Sequence, residues 1–296
     1  MSGRVRFDPS FMARLGRLVG RLRALSARRE GSGSARLAGS GEEFVGHRPW
    51  RPGEDTRDLD WNLFARFDQP FVRVFEREAA EHWLVQLDTS ASMDVGAPES
   101  KLQLAAELTM GLAALAVEVG ATLSLVTSSG ERFHLARPRD LVPLRRVLEG
   151  LGQPGAGFEV GLGKPRPRVG RVIVIGDLFD VEPKGVLELG GPGRELVVLR
   201  VLAAEELLPS QVLFPNAADN VELEELETGQ RRIVSGEDAL DYERELEREL
   251  ESWQALLAKH RVLWRLAEAG SFTHSGRKLG TAFEDVLAPF LGSGGA

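Results

Sequence analysis

Runs of apolar residues alternate with amphipathic stretches through the middle of the chain. The segments 82–88, 171–177 and 195–202 are almost continuously apolar, which is typical of strands buried on both faces of a parallel sheet. Between the first two of these, leucines recur at helical spacing over 100–119, behind a Ser100 side chain suited to cap the helix. Weaker patterns predict strands at 121–127 and 132–136 and a short helix at 139–150. The alternation predicts an α/β fold with a doubly wound, mostly parallel sheet and helices on both faces.

An amphipathic helix is predicted near the N-terminus. Asp8 and Pro9 suit the cap and the first position of a helix, and apolar residues recur at helical spacing over 12–25 among many arginines. The Gly/Ser-rich segment 30–41 predicts a flexible linker after this helix. We therefore expect residues 1–29 to form a basic helix whose apolar stripe docks on the rest of the chain or on a partner.

The same patterns divide the rest of the chain into three regions. Residues 42–81 are rich in Arg, Asp and aromatic residues with short extended pieces, and predict a small β-rich subdomain. The alternation of strands and helices occupies 82–205. Residues 206–296 predict an α+β C-terminal extension with a long helix, whose apolar stripe runs from Ala239 to Leu257.

Composition and charge narrow the class of protein. Hydrophobic residues make up 43% and charged residues 27% of the 296 residues, which is typical of a soluble globular protein and excludes a wholly disordered chain. The net charge of −7 is unevenly distributed: residues 1–39 hold nine arginines and two acidic residues, whereas 222–251 hold twelve acidic residues and four arginines. Since the basic segment lacks interleaved aromatics, we expect it to pair with an acidic protein surface and not with nucleic acid.

Several classes of site and location are excluded by what the sequence lacks. Without any cysteine there can be no disulfide framework, thiolate zinc site or cysteine nucleophile. No stretch approaches the roughly 18–20 apolar residues of a membrane helix, and the first residues lack the apolar core of a secretory signal. We therefore expect a cytoplasmic protein without an integral membrane segment.

The strongest candidate for chemistry follows the first core strand. Asp88, Ser90 and Ser92 form a D-x-S-x-S motif, and Asp177 ends the second core strand in the same way. Because the carboxyl ends of parallel strands meet at one edge of the sheet, these oxygens are expected to converge there. Hard oxygen donors suit Mg²⁺ or Mn²⁺. The alternative is that the loop side chains only satisfy nearby backbone amides.

Motifs for catalysis are weaker. The chain has no G-x-S-x-G or H-E-x-x-H motif. A divalent-metal-dependent phosphohydrolase that uses Asp88 and Asp177 is the alternative function, although neither a general base nor a cationic phosphate clamp is evident close to either motif in the sequence. We therefore expect a protein that is not an enzyme.

The D-x-S-x-S motif together with Asp177 resembles the metal-ion-dependent adhesion site of a von Willebrand factor type A domain. That family has a Rossmann-like doubly wound sheet and binds a divalent cation whose coordination is completed by an acidic group of the partner. The resemblance implies a type A domain at 82–205, with the motif's aspartate and serines and, through water, Asp177 as the cation site. Phe158 stands where the family has a threonine ligand, so the resemblance implies a degenerate site, or a vestigial one in a structural subunit.

Motifs upstream of the first core strand resemble the domain-of-unknown-function 58 family. The chain reads GEEF at 41–44, WRPGEDTRDLDWN at 50–62 and AR at 65–66, close to the family's G-x-E-F, P-G-D-D-x-R-x-I-D-W and A-R motifs. The similarity covers roughly residues 39–205. It implies a non-catalytic protein-binding module that works with a MoxR-type AAA ATPase in chaperone-like complex assembly.

This upstream block also contains candidate docking residues. Charged and aromatic side chains are interleaved in it, which allows two interpretations. One is a buried ion-pair network that fastens the small subdomain to the main domain, and the other is a surface that docks a partner. The candidate residues are Arg48, Asp55, Arg57, Asp60, Trp61 and Arg66.

Overall fold

The computed structural model describes most of the chain, with gaps. The described residues are 5–31, 42–50, 60–67, 69–77, 81–151, 169–214, 220–224, 226, 229–270, 272–274 and 277–291. Their helices and strands in chain order are α1 (Pro9–Gly31), β1 (Glu42–Pro49), α2 (Trp61–Phe67), β2 (Phe71–Arg77), β3 (His82–Leu87), α3 (Lys101–Glu118), β4 (Thr122–Thr127), β5 (Arg132–Leu135), α4 (Leu141–Gly150), β6 (Val169–Gly176), α5 (Pro183–Leu187), β7 (Glu195–Ala203), α6 (Ala204–Leu207), α7 (Pro209–Val212), β8 (Asn220–Glu224), β9 (Arg231–Ser235), α8 (Gly236–Lys259), β10 (Leu263–Ala269), β11 (Phe272–His274), β12 (Arg277–Leu279) and α9 (Phe283–Leu287).

A six-stranded sheet forms the centre of the molecule. Its strand order is β10-β7-β6-β3-β4-β5, and every neighbouring pair is parallel except β4 and β5. The prediction of an α/β fold with a mostly parallel sheet is confirmed. Because β10 pairs with β7, a strand from beyond residue 205 completes this sheet.

Alternating side chains of the strands face two separate layers of core. On β6, Ile173 and Ile175 face the layer that contains α3, α4 and α9, whereas Val172 and Val174 face the layer that contains α5 and α8. The central strands β3, β6 and β7 therefore bury both of their faces, which is why they are apolar at almost every position. Ser100 caps α3 as predicted, since its hydroxyl oxygen accepts a hydrogen bond from the backbone of Gln103 at 3.3 Å.

The basic helix α1 docks on its own chain. Leu15, Leu18 and Leu22 of its apolar stripe are part of the larger core layer, whereas Met12 and Leu25 at the ends of the stripe are exposed. The ring of Phe11 lies 4.9 Å from the rings of both Phe7 and Phe283. Arg23 pairs with Glu118 of α3 at 2.7 Å. The main contacts of α1 are thus with α3 and α9, and its partner is not primarily the acidic segment 222–251.

Glu107 is a buried carboxylate of α3 beneath this helix. Its Oε2 lies 3.3 Å from Arg14 Nη2, and its Oε1 accepts a hydrogen bond from Gln103 Nε2 at 3.1 Å. Burial raises the pKa of Glu107 to about 7, an effect that Gln103 and Arg14 reduce and that Glu99 and Glu284 reinforce. The side chain therefore becomes charged, against the cost of burial, only near neutral pH.

The substitution Glu107→Gln is expected to weaken the pH dependence of stability. The pKa of Glu107 in the folded protein lies above the ordinary value of 4.5. The stability that Glu107 contributes is therefore fully present below pH 4.5 and is lost as the pH rises through about 7. Without this titration, the change in the free energy of unfolding between acidic and neutral pH should be smaller by on the order of 1–3 kcal/mol. Urea denaturation at a series of pH values measures this, with Glu118→Gln on the same helix as control. An unchanged slope in Glu107→Gln would contradict the assignment.

Smaller pieces lie around the sheet. β1 and β2 form an antiparallel pair. Together with α2 they are the described helices and strands of the region 42–81. Two further antiparallel pairs are β8–β9 and β11–β12. The predicted linker 30–41 lies outside the described residues except at its start, because α1 continues to Gly31. None of the described helices has the length and apolar character that crossing a membrane requires.

Candidate functional site

Two aspartates meet at the carboxyl edge of the sheet. Asp88 follows β3 and Asp177 follows β6, and these strands are parallel neighbours. Gly176 makes the close approach possible, because a Cβ atom there would lie 2.6 Å from the Cβ of Asp88. Both aspartates are buried. The predicted convergence of the two strand ends is therefore present.

The loop after β3 aligns its oxygens with the second aspartate. The backbone N–H of Ser90 donates to Asp88 Oδ1 at 2.8 Å, and the hydroxyl oxygens of Ser90 and Ser92 lie 3.1 Å apart. The Ser92 hydroxyl donates to Asp177 Oδ2 at 2.7 Å. All four residues that the sequence singles out as a cation site are thus connected in one short chain of hydrogen bonds.

A buried lysine is the main addition to the predicted site. Lys101, the first residue of α3, places Nζ 2.6 Å from Asp177 Oδ2 and 2.5 Å from Glu206 Oε1. Its side chain has no exposed area. A cation at the first turn of a helix opposes the helix dipole, so these two carboxylates compensate both its burial and its position. We call Asp88, Ser90, Ser92, Lys101, Asp177 and Glu206 the charged centre.

An arginine supports the charged centre from β7. Arg200 is fully buried, donates from Nε to the backbone oxygen of Asp177 at 2.7 Å, and from Nη1 to Glu249 Oε1 at 2.8 Å. The ring of Phe179 lies 5.1 Å from the Arg200 guanidinium and 5.5 Å from Lys101 Nζ. Between Asp177 and Phe179, Leu178 has a φ of 59°, a backbone conformation that persists only where its surroundings impose it.

Burial dominates the electrostatics of the acidic side chains. It raises the pKa of Asp88 to about 6, and hydrogen bonds from Ser90 offset part of this effect. Burial also raises the pKa of Glu206, and Lys101 lowers it in part. The ionised form of a buried carboxylate is stabilised by any further cation that comes close to it. The charged centre therefore favours positive charge beyond the single ammonium group of Lys101.

Few side chains of the site are of a type that binds metal ions. Across the part of the chain that the structure describes, no cluster of three or more His, Cys, Asp or Glu side chains has an arrangement suited to a metal ion. The oxygens of the predicted cation site are those of Asp88 and Asp177 together with the two serine hydroxyls, whereas Glu206 binds Lys101 Nζ and the Ala203 backbone N–H. Phe158, which stands where the resembled family has a threonine, lies outside the described residues.

The second predicted group of residues is only partly described. Asp60 is buried, accepts a hydrogen bond from the Leu63 backbone at 3.2 Å, and has His47 Nε2 at 3.0 Å. Trp61 is 62% exposed and Arg66 is exposed. Asp55, Arg57 and the side chain of Arg48 lie outside the described residues. The structure therefore shows a local cap by Asp60 beside an exposed aromatic surface, and leaves the wider ion-pair network a prediction.

Sequence reasoning missed Lys101, Arg200 and Glu206. Two of them carried a signal: Arg200 is a single charge within an apolar strand, and Lys101 is a cation at the start of an apolar helix. A charge in such a place needs a buried partner. Which partner it finds cannot be deduced from local pattern, since Lys101 lies 76 residues from Asp177 and 105 residues from Glu206.

Comparison with known proteins places the chain among uncharacterized relatives. The family model for DUF58, described as a protein of unknown function, matches residues 46–250. Uncharacterized proteins of Mycobacterium tuberculosis and Mycobacterium bovis are each 29% identical over 219 residues, which cover 69% of this chain and 67% of theirs. The crystal structure of the conserved hypothetical protein BatB from Bacteroides thetaiotaomicron aligns with a TM-score of 0.36 and 17% identity, over 64% of this chain and 91% of that chain. The function has to be argued from the geometry of the site.

Proposed function

The chain belongs to the DUF58 family of proteins of unknown function, and we propose that it is a non-catalytic protein-binding module that docks through the charged centre. In this proposal Asp88, Ser90, Ser92 and, through water, Asp177 hold a Mg²⁺ or Mn²⁺ ion. An acidic side chain of a partner completes the coordination, as in the type A adhesion site that the motif resembles. The observation that carries the proposal is the convergence of two buried carboxylates and two hydroxyl groups beside one loop.

The spacing of the oxygens supports a small octahedral cation. Neighbouring ligands of an octahedral Mg²⁺, each about 2.0–2.1 Å from the ion, lie about 2.9 Å from one another. The hydroxyl oxygens of Ser90 and Ser92 are 3.1 Å apart. This distance is close to an octahedral edge, and the ligand atoms are the hard oxygens that this ion prefers.

The balance of charge also supports a divalent ion. The charged centre holds three carboxylates, those of Asp88, Asp177 and Glu206, and one ammonium group, that of Lys101, which contacts the last two. When all three carboxylates are ionised, the side chains of the charged centre carry two net negative charges. A divalent ion neutralises them and removes the cost of burying charge that raises the pKa of Asp88.

The position of Lys101 favours a second candidate function. Its ammonium group already contacts Asp177 Oδ2, and it does there what a metal ion does in a type A site. In this alternative the lysine is the permanent cation, and the protein is a structural subunit whose partner binds without metal. The two candidates differ in one measurable property, the response to a divalent ion.

The proposed partner presents an acidic side chain to the charged centre. The resemblance to the DUF58 family suggests a MoxR-type AAA ATPase, for which the module would act in complex assembly. An acidic surface residue on that partner is the feature the charged centre requires. The exposed Trp61 and Arg66 belong to the residue types that dominate protein interfaces, and they are proposed as a second contact.

Thermal melting after chelator treatment tests the metal. Addition of Mg²⁺ at about 100 times its dissociation constant is expected to stabilise the wild-type protein by about 2.7 kcal/mol, a rise of several degrees in melting temperature. Ser92→Ala removes one donor without changing the charge and should abolish the rise. Ser124→Ala, on β4 beside His134, is the matched control and should retain it.

Each outcome separates the candidates. Equal melting temperatures of the wild-type protein with and without Mg²⁺ would contradict the metal site and favour the permanent lysine. A rise that persists in Ser92→Ala would place the metal elsewhere. Turnover of a generic phosphoester that requires Mg²⁺ and is lost in Ser92→Ala would favour a hydrolase over a binding module.

A further inference from the structure

An open groove of about 500 Å³ runs along α8, and its described lining includes no residue of the Asp88 loop. The helix forms one wall, and the segment after β7 together with β10 forms the other. Its apolar lining is contributed by leucines from all three elements, of which Leu246 is buried and Leu240 is 46% exposed. The apolar residues are Leu207, Leu208, Leu240, Leu246, Leu250 and Leu266.

The rim of this groove is strongly acidic. Glu243, Glu247 and Glu251 follow one another at intervals of four along α8, and Glu268 of β10 lines the opposite wall. Among the described residues of the lining, Arg244 is the one cation, and it is hydrogen-bonded to Asp241 on its own helix. Carboxylates spaced four apart on a helix repel one another, so this arrangement weakens α8 in the absence of a cationic neighbour.

The described ion pairs of the basic helix α1 lie away from this rim. The arginine-rich α1 buries its apolar stripe against α3 and α9, and its described ion pairs are with Glu107, Glu118 and Glu284. Among the described residues, no ion pair of α1 involves Glu247 or Glu251, and the groove along α8 is open. Its charge and its apolar floor are complementary to a segment that carries both leucine-like and basic side chains.

We propose that the groove along α8 binds a basic amphipathic helix of a partner protein. The wall from Leu240 to Gln254 spans about 21 Å at 1.5 Å per residue, which matches a helix of about four turns. Leucine-lined grooves bind such helices through apolar anchors at positions i, i+3, i+4 and i+7. Glu247 and Glu251 of the rim pair with the partner's Arg or Lys side chains, which fixes the orientation of the partner helix and accelerates binding. This inference is independent of the metal at the charged centre.

Binding of synthetic peptides to the full-length protein tests the groove. The probe is a fluorescent amphipathic peptide of about 15 residues with leucines at helical spacing and arginines beside them, and its comparison peptide has glutamate in place of arginine. We expect the basic peptide to bind and the acidic one not to bind. The double substitution Glu247→Lys/Glu251→Lys should weaken binding at least about tenfold, and added salt should weaken it further.

The control keeps the same helix and the same kind of charge change. Glu245→Lys lies on α8 but outside the groove lining and should change the affinity less than about twofold. Failure of the wild-type protein to bind the basic peptide, or equal loss of affinity in both variants, would overturn the proposal. Light scattering that shows a dimer disrupted by Glu247→Lys would overturn it too, because a second copy of this chain would then be the occupant.

Discussion

The substitution Lys101→Met is expected to destabilise the protein by about 3–5 kcal/mol, the typical cost of leaving a buried charge without its partner. Its ammonium group is inaccessible to solvent and contacts both Asp177 and Glu206. Methionine fills a similar volume but leaves these two carboxylates facing each other. Thermal or urea denaturation measures the effect, and a drop in melting temperature of roughly 10 °C is anticipated.

Two further variants show whether charge is the cause. Lys184→Met changes an exposed lysine of α5 and should leave the stability within about 0.5 kcal/mol of the wild type. The double variant Lys101→Met/Glu206→Gln removes one of the two uncompensated carboxylates and should recover part of the loss. If the charged centre binds Mg²⁺, the ion should also stabilise Lys101→Met more than the wild-type protein. A loss below about 1 kcal/mol in Lys101→Met would contradict the charge network described above.

The substitution Phe11→Ala is expected to cost about 3–5 kcal/mol, as for other large buried aromatic side chains. The ring is 1% exposed and packs between Phe7 and Phe283. It therefore anchors α1 to the last helix of the chain. The free energy of unfolding from urea denaturation measures the cost, and trypsin cleavage at the arginines of α1 reports whether the helix has detached.

The neighbouring Met12 is the matched control for this helix. Its side chain is 39% exposed, so Met12→Ala should cost less than about 1 kcal/mol. A helix that docks on a partner and not on its own chain would behave differently. In that case Phe11→Ala would leave the stability unchanged, and α1 would be cleaved equally in the variant and in the wild-type protein.

The candidate site was predicted from the sequence to the extent that it depends on strand ends. Asp88 and Asp177 each follow a run of apolar residues that local pattern identifies as a strand, and adjacent parallel strands end at the same edge. The ammonium group between Asp177 and Glu206 was not predicted. Its position depends on how α3 and the segment after β7 pack on the sheet, which no local periodicity encodes.

The groove along α8 was likewise predictable from the sequence only in part. The acidic spacing and the leucines of this helix are visible in the sequence. Their interpretation as one wall of an open groove needs β10 beside β7, which adds the last strand at the sheet edge. The sequence also left open whether the basic helix covers this acidic surface, and the structure places that helix against α3 and α9.

The sequence by itself determined the α/β class, the mostly parallel sheet, the capped helix at Ser100, the family and the meeting of Asp88 with Asp177. These follow from patterns that extend over a few residues, because burial on one or two faces sets the period of apolar positions. Only the tertiary structure decided the cation of the charged centre, the docking of α1 and the open groove. Those features depend on contacts between residues far apart in the chain, and many arrangements of the same helices and strands satisfy the same local patterns.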